Sequence, residues 1–186
     1  MPIPLQWVQV AGGSCRFGDH GRLIEIPSLL WTQTPVTLGQ LGLSPTTASQ
    51  DEPITQISMD EAANHALQLE GRLPSSAEWE WMAAGPERRL FPWGMDGWTS
   101  DKAALSLVTP AKCPVGRFPA GATPNGLHDV AGNVWEWTAT TLANGGAYIR
   151  GGSYVSRPVY ARTTFKNAAP VELRSGGLGF RAVRLP

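Results

Sequence analysis

The sequence predicts a single α+β domain over residues 1–186, with two short helices, small antiparallel sheets and much irregular loop. Two helical segments with capping patterns lie in the first half, and the second half offers only short apolar pieces between loops. The 21 glycines and 16 prolines divide the chain into short elements. Eight tryptophans supply large rigid side chains for the core of such a fold.

Each predicted helix begins at a serine that is followed by an acidic residue in the first turn. Ser58 and Glu61 form a capping box for a first helix that Gly71 ends. A second helix opens at Ser75 or Ser76 and stops at the glycine–proline pair 85–86. Both segments have apolar residues at helical spacing, so each should pack one face on the core.

Alternation of apolar and polar residues predicts short strands at 6–10 and 22–26, around the turn signal GDHG at 18–21. The segment 28–42 has no clear pattern, and 43–53 is a polar loop. Further short apolar pieces that resemble strands lie at 132–138, 147–154 and 179–185.

The overall charge excludes some partners. Fifteen basic residues balance 15 acidic ones, so we expect neither a nucleic-acid groove nor a polybasic membrane surface. A local basic patch stays open, because four cations fall within 157–174. No segment is apolar enough to span a bilayer and the N-terminus lacks a leader pattern, so we expect synthesis in the cytoplasm without an anchor.

Cys15 and Cys113 are the two cysteines of the sequence, and neither lies in a CxxC pattern. Two buried, reduced thiols are the expectation, and a single disulfide between them stays open.

Five motifs occur in order along the chain. They are GRLPSSAEWEWMAAG at 71–85, FPWG at 91–94, PNGLHDVAGNVWEWT at 124–138, RGGSY at 150–154 and GLGFRAVR at 177–184. Together they resemble the formylglycine-generating, or sulfatase-modifying-factor, family from about residue 7 to the C-terminus. The resemblance implies a C-type-lectin-like fold. The family includes copper-dependent cysteine oxidases, iron-dependent sulfoxide synthases and ligand-display proteins, so the site must decide the function.

The resemblance places the two copper-binding cysteines of the oxidases at Ser156 and Ala161. A serine hydroxyl is a hard, neutral ligand and alanine offers none, whereas Cu(I) is held by soft thiolates. We therefore expect no copper and no formylglycine-generating activity. The sulfoxide synthases take their iron-binding histidines from an additional helical domain, which we do not expect in a chain of this length.

Other catalytic arrangements find little support in the sequence. His20, His65 and His128 have no metal-binding spacing and are interpreted as unrelated. A triad of Ser153, His128 and Asp129 is disfavoured, because adjacent histidine and aspartate side chains do not readily orient one another. Glu78 and Glu80 lie two apart on a helix and should face different ways.

Six residues form the candidate binding surface, either because they match positions that line the pocket of the oxidases or because they flank the replaced cysteines. They are Trp135, Ser153, Tyr154, Arg157, Tyr160 and Arg162. Core packing is the favoured interpretation for Trp135 and Ser153. Surface contact and a structural role both stay open for the two arginines and Tyr160.

The loop DVAGNVWEW resembles a calcium-binding segment of the family. The implied ligands are the side chains of Asp129 and Glu136 and the carbonyls of Gly132 and Val134, which are the hard oxygens that calcium prefers. The alternative is that backbone amides bind Glu136 and that Asn133 caps a turn. For the family's second calcium site the sequence offers only Asp101, so no second ion is predicted.

The leading functional hypothesis is a non-catalytic, calcium-stabilised module that presents 139–149 and 155–175 to a protein, small-molecule or glycan ligand. Such a module would suit a phage tail or another secreted assembly. The alternative is an oxidoreductase of the same family that uses a different metal or none. A third hypothesis is a structural subunit that packs through an exposed aromatic patch.

Overall fold

The computed structural model describes residues 4–18, 21–43 and 48–186. Within these ranges two helices lie beside three small sheets built from short strands. The helices are α1 (Met59–Gln68) and α2 (Ser76–Ala84). The strands are β1 (Trp7–Val10), β2 (Gly13–Phe17), β3 (Arg22–Ile26), β4 (Leu29–Thr32), β5 (Trp135–Thr141), β6 (Gly146–Arg150), β7 (Asn167–Pro170), β8 (Leu178–Gly179) and β9 (Val183–Arg184).

The sheets join distant parts of the chain. One sheet has the order β1-β4-β9 and is antiparallel throughout, so the C-terminal strand lies beside an N-terminal one. A hairpin of β2 and β3 forms the second. The third has the order β7-β6-β5-β8, with β8 parallel to β5 and the other pairs antiparallel. This third sheet carries Trp135 and Asn167, and the segment that follows β6 carries Ser156, Tyr160 and Ala161.

The N-terminal strands pair differently from the prediction. Both predicted strands exist, but β1 pairs with β4, and β3 pairs with β2. The sequence missed β2 and β4, because β2 begins with glycine and buries Cys15 alone, and β4 is largely buried and so lacks alternation. Asp19 and His20 of the predicted turn lie outside the described residues.

The predicted capping box at the start of α1 is confirmed, and the second helix also begins with one, at Ser75. The Ser58 hydroxyl accepts the Glu61 N–H at 3.3 Å while the Glu61 carboxylate accepts the Ser58 N–H at 2.8 Å. In the same way, the Ser75 hydroxyl accepts the Glu78 N–H at 3.2 Å and the Glu78 carboxylate accepts the Ser75 N–H at 2.7 Å. These bonds satisfy N–H groups that would otherwise lack partners at the helix starts.

Helix α1 ends earlier than predicted. Its last residue is Gln68, and Glu70 takes the left-handed conformation, with φ 59°, before Gly71. Helix α2 ends at Gly85, as predicted, with φ 63° and its N–H bonded to the Trp81 carbonyl at 2.8 Å.

Helix α2 is the centre of the core. All nine of its residues are buried, so it has no solvent face and differs from the amphipathic helix predicted from sequence. Trp79 and Met82 pack with β4 through Leu29 and Trp31 in one hydrophobic cluster. Its two buried glutamates are accordingly paired with arginines, Glu78 with Arg72 and Glu80 with Arg150.

The second half has shorter strands than predicted. Strand β5 begins at Trp135, because the preceding loop holds Asp129, Gly132 and Asn133 at φ 52°, 79° and 63°. Strand β6 ends at Arg150, where Gly151 takes φ 92°. A Cβ at Gly151 would approach the Val130 carbonyl oxygen to 2.7 Å, so glycine allows the loop and the strand to meet here.

The cysteines are free and buried, which confirms the expectation of two reduced thiols. Burial raises the pKa of Cys15 to about 11 and that of Cys113 to about 11, so both thiols stay protonated at neutral pH. In the described ranges no helix has the length and apolar character that crossing a bilayer requires.

Candidate functional site

The two positions implied for copper lie against the same glycine. A Cβ on Gly152 would lie 3.4 Å from the Ser156 Cβ and 3.6 Å from the Ala161 Cβ, so the fold brings these side chains together. Both residues are buried, and Ala161 ends a 3₁₀ turn at Pro158–Ala161. The Ser156 hydroxyl accepts the Ser153 N–H at 2.9 Å. Ser156 therefore offers a hydroxyl that already accepts a backbone hydrogen bond, and Ala161 offers only a methyl group.

An open cavity of about 440 Å³ lies beside these positions. Its lining residues are Trp135, Val155, Ser156, Arg157, Tyr160 and Asn167. We call it the Trp135 cavity. It combines an indole, a phenol, a guanidinium and an amide around a mainly apolar floor, and its volume is in the range of small-molecule sites.

The structure brings together some of the predicted binding residues and separates others. Trp135, Arg157 and Tyr160 line the cavity. Ser153 is buried below it, next to Gly177, in agreement with the favoured core interpretation. Tyr154 packs instead against Ala104, Cys113 and Phe118, and Arg162 is exposed outside the cavity lining.

Two lining residues and one supporting residue were not singled out from the sequence, although all three lie in 155–175, a segment that was expected to face a ligand. Val155 and Asn167 line the cavity, and Phe165 contacts both of its aromatic walls. The Phe165 ring lies 5.1 Å from the Tyr160 ring and 6.3 Å from the Trp135 ring, between centroids. Phe165 and Asn167 carry no motif, because β7 and the preceding turn reach the cavity only through tertiary pairing with β6, and Val155 directly follows the RGGSY motif.

A fully buried ion pair lies directly behind Trp135. The next residue on β5, Glu136, accepts two bonds from Arg181, at 2.8 Å from Nε and 2.7 Å from Nη2. The Trp79 indole N–H donates to the same carboxylate at 2.6 Å. Because all three side chains have at most a trace of exposure, this bidentate pair is held without screening by water.

A second buried ion pair lies on the other side of Trp79. Arg150 Nη2 donates to Glu80 at 2.7 Å and to the Thr163 carbonyl at 2.7 Å, and its guanidinium lies 5.1 Å from the Trp79 ring. Glu80 also accepts the Gly18 N–H at 2.7 Å. Burial lowers the pKa of Arg150. Together the two pairs and Trp79 form a polar chain across the core, which we call the core network.

The predicted calcium loop has a different bonding pattern from either sequence interpretation. Asp129 is buried and accepts the Gly116 N–H at 2.6 Å, and burial raises the pKa of its carboxyl. Asn133 does not cap a turn: its amide binds the backbone N–H and carbonyl of Cys113 at 3.0 and 3.1 Å. Arg181 and Trp79, rather than backbone amides, bind Glu136.

The four implied ligands do not all fit calcium in this arrangement. Both Glu136 oxygens already accept strong bonds, and the Arg181 cation would repel a second one. Asp129 and the carbonyls of Gly132 and Val134 remain, which is fewer than the six to eight oxygens calcium takes. The described residues hold no group of three or more His, Cys, Asp or Glu side chains suited to a metal ion. Calcium binding stays a prediction, and we expect it to be weak.

Chelation should therefore change stability little. We expect the melting temperature in EGTA to lie within about 2 °C of that in millimolar calcium, since the extra stability scales with ligand concentration over Kd. Asp129→Asn should not lower the melting temperature in either buffer, because asparagine keeps an acceptor for Gly116 and removes a charge that burial disfavours. Calorimetry checks both results, and a large loss in EGTA that calcium restores would contradict them.

The residues of the disfavoured triad do not bind one another. Ser153 is next to Ser156, Asp129 is bonded to Gly116, and His128 Nδ1 is buried without a partner among the described residues. His65 lies on α1 and contacts Gln68, and His20 lies outside the described residues. Glu78 binds Arg72 and Glu80 binds Arg150, so the two acids face different ways as predicted.

Comparison with known proteins identifies relatives of two kinds. A model of the sulfatase-modifying factor enzyme 1-like domain matches residues 31–186. The chain is 36% identical to hercynine oxygenase of Mycobacterium tuberculosis over 140 residues, which are 63% of this chain and 33% of that protein. It is 31% identical to inactive C-alpha-formylglycine-generating enzyme 2 of Mus musculus over 150 residues, which are 69% of this chain and 48% of that protein. The chain thus spans about a third to a half of these relatives.

Solved structures share the architecture at lower identity. Variable protein 1 of Treponema denticola superimposes with a TM-score of 0.84 at 17% identity, covering 98% of this chain and 95% of that one. PvdO of Pseudomonas aeruginosa superimposes with a TM-score of 0.80 at 20% identity, covering 96% of this chain and 93% of that one. At these identities the likeness concerns the fold alone. The predicted α+β, C-type-lectin-like fold class is confirmed.

Proposed function

The chain belongs to the sulfatase-modifying factor enzyme 1-like family, and we propose that it is a non-catalytic binding module whose ligand occupies the Trp135 cavity. The observation that carries this proposal is the chemistry of Ser156 and Ala161, which lie together beside Gly152. The fold holds Ser156 and Ala161 together at the positions implied for copper, yet neither supplies a soft ligand.

The lining of the cavity supports recognition. Trp135 and Tyr160 offer rigid aromatic surfaces that lose little conformational entropy on binding, and Arg157 offers a planar set of donors. Asn167 adds a donor and an acceptor at the rim. The wide opening of the cavity suits binding better than oxidation, since oxidative chemistry requires that water be excluded from the reacting atoms.

A relative of this family without activity supports the same conclusion. The mouse protein that matches 69% of this chain is named as an inactive formylglycine-generating enzyme. Loss of catalysis on this fold therefore has a precedent in a protein 31% identical to this one. The ligand we propose is a protein, small molecule or glycan, and membership of a phage tail or another secreted assembly stays a prediction.

The second candidate function is an oxidoreductase, and the 36% identity to a hercynine oxygenase favours it. The chain covers a third of that protein, so its activity cannot be transferred by similarity alone. Such an oxidoreductase would use a different metal or none, and a metal that acts in the cavity would have to be held near Ser156. The side chains around the cavity offer it the Ser156 hydroxyl, the Tyr160 phenol and the Asn167 amide, a set without the thiolates that hold copper or the histidines and carboxylate that hold non-haem iron.

Two measurements on the purified chain separate these functions. In the first, nitrogen-15 NMR follows the Trp135 indole and the Asn167 amide while a fragment library is screened. We expect some fragments to shift both signals and to lose binding in Tyr160→Ala, with Leu23→Ala, at an exposed position on β3, as the matched control. The buried Trp137 indole, bonded to the Ile57 carbonyl, should not shift.

In the second measurement an oxygen electrode records uptake with Fe(II) or Cu(I), hercynine and cysteine as probes. We expect uptake no faster than without protein. Protein-dependent uptake, together with an absence of fragments that shift the Trp135 indole, would overturn the binding module and favour the oxidoreductase.

A further inference from the structure

Most of the donors on one arginine of the core network have no acceptor. Arg150 is fully buried, yet its Nε and Nη1 atoms make no hydrogen bond with any described residue. Its Nη2 atom alone donates, to Glu80 and to the Thr163 carbonyl. Because a buried polar group without a partner costs free energy, and a charged one costs more, this guanidinium needs a further acceptor.

The other arginine of the core network, Arg181, has a partner for each nitrogen of its guanidinium. Its Nε and Nη2 atoms donate to Glu136, and Nη1 donates to the Thr32 carbonyl at 3.4 Å. Arg181 is as buried as Arg150, so burial alone does not explain the missing bonds of Arg150. Burial also lowers the pKa of Arg150 even though Glu80 opposes this effect, which agrees with a guanidinium that the surrounding protein solvates incompletely.

A small pocket ends beside this guanidinium. Its volume is about 100 Å³, and its lining includes Cys15, Glu80 and Thr164. Glu80 is bonded to Arg150, and Thr164 directly follows the residue whose carbonyl accepts the second bond from Arg150. Cys15 interacts electrostatically with the same guanidinium. We call this space the Cys15 pocket, and its lining shares no described residue with that of the Trp135 cavity. It has room for about three water molecules, or for one small ion and water.

The solvent side of the Cys15 pocket is positively charged. Arg16 and Arg88 line it, and both side chains are exposed. Neither forms an ion pair with a described residue. Among the described residues of the lining, Glu80 is the one acid, and its two oxygens accept the Gly18 N–H and a bond from Arg150. The charge of Arg150 balances that of Glu80, so the two arginines at the opening remain in excess.

We propose that the Cys15 pocket is a halide site, in which a chloride ion accepts hydrogen bonds from Nε and Nη1 of Arg150. The Thr164 hydroxyl lines the same pocket and can donate a further bond. Arg16 and Arg88 attract the ion to the opening. The bound ion completes the hydrogen bonding of the core network at the end of β6. This inference is independent of the function proposed for the Trp135 cavity.

The charge and the donor pattern favour a halide over water and over larger anions. A water molecule needs acceptors for its own hydrogens, whereas a halide only accepts, and the unpaired groups on Arg150 are donors. Glu80 would repel a doubly charged oxyanion such as phosphate more strongly than it repels a single charge. The excess charge of Arg16 and Arg88 raises the local concentration of the singly charged ion.

The direct test is anomalous diffraction at the bromine edge from crystals of the full chain grown in sodium bromide. We expect a bromide peak in the Cys15 pocket, at hydrogen-bond distance from Nε or Nη1 of Arg150. Peaks confined to exposed arginines outside the pocket would mean an adventitious ion only. Ordered water in the pocket without an anomalous signal would mean that water supplies the acceptors. Either result would overturn the halide site and leave the function proposed for the Trp135 cavity unaffected.

A melting experiment tests the same site in solution. As chloride replaces the bulkier gluconate at constant ionic strength, the melting temperature should rise by about 2–4 °C. Arg88→Gln should weaken the apparent chloride affinity roughly two- to fivefold, the effect of one exposed charge, and leaves the core network intact. Arg117→Gln removes an exposed arginine outside the pocket and should respond like the unmodified chain. Equal melting temperatures in the two salts, or equal responses of Arg88→Gln and the unmodified chain, would contradict the proposal.

Discussion

Glu136→Gln should lower the free energy of unfolding by about 3–5 kcal/mol, which is the cost of leaving one partner of a buried ion pair alone. Glutamine keeps an acceptor for the Trp79 indole but removes the charge that Arg181 needs, and Arg181 is fully buried. For a chain of this size the melting temperature should fall by roughly 6–20 °C. Denaturant unfolding followed by tryptophan fluorescence gives the free energy directly.

The matched control is Glu70→Gln. Glu70 pairs with Arg184 at 3.2 Å at the surface, with 85% of its side chain exposed, so its loss should cost less than about 1 kcal/mol. The double variant Glu136→Gln with Arg181→Met should lose less than the two single variants together, because neither charge is then left unpaired. A Glu136→Gln protein within about 1 kcal/mol of the unmodified chain would contradict the importance of this pair.

The double variant Ser156→Cys with Ala161→Cys should gain one tightly bound Cu(I) per chain, whereas the unmodified chain should bind none at this position. The Cβ atoms of Ser156 and Ala161 lie 3.4 and 3.6 Å from the point that a Cβ on Gly152 would occupy, so we expect two thiolates placed there to share one ion. Anaerobic titration against a chromogenic Cu(I) chelator measures the change. Cys15 and Cys113 should contribute nothing, because burial keeps both thiols protonated.

The single variants Ser156→Cys and Ala161→Cys are the controls, since each supplies one sulfur and should compete poorly with the chelator. Circular dichroism verifies that all three proteins keep the fold. A double variant that binds no more copper than the unmodified chain would show that the two positions do not form a metal site, and would remove the basis for interpreting the cavity as an altered oxidase site.

The core network explains how the fold positions the cavity. Trp135 lines the cavity and Glu136 is the next residue on β5, so the bonds from Arg181 and Trp79 fix the strand that carries the aromatic wall. Arg150 fixes the end of β6 in the same way, just before the Gly151–Gly152 turn that leads to Ser156. A rigid base under a short loop lowers the entropic cost of binding a ligand there.

The parts of this structure that the sequence predicted are those with local causes. The capping box at Ser58 and the serine N-cap of α2 depend on residues three apart, and both formed. Of the six binding residues predicted from the motifs around Trp135 and Gly152, three line the Trp135 cavity, and all three come from two short segments of the chain. The fold class followed from the order of the motifs.

The parts that the sequence missed depend on distant contacts. Arg181 binds Glu136 across 45 residues and Trp79 does so across 57, so neither partner could be named from a local pattern. Asn167 reaches the cavity only because β7 pairs with β6. Tertiary pairing, rather than propensity, set these features.

Anomalous diffraction from crystals of the unmodified chain, soaked anaerobically in Cu(I) and separately in Fe(II), addresses the nature of the site most directly. If the Trp135 cavity is a recognition site, no anomalous peak should appear between Ser156 and Ala161 at either metal's absorption edge. A strong peak there, accompanied by oxygen consumption of the loaded protein, would show that the cavity is the centre of an oxidase.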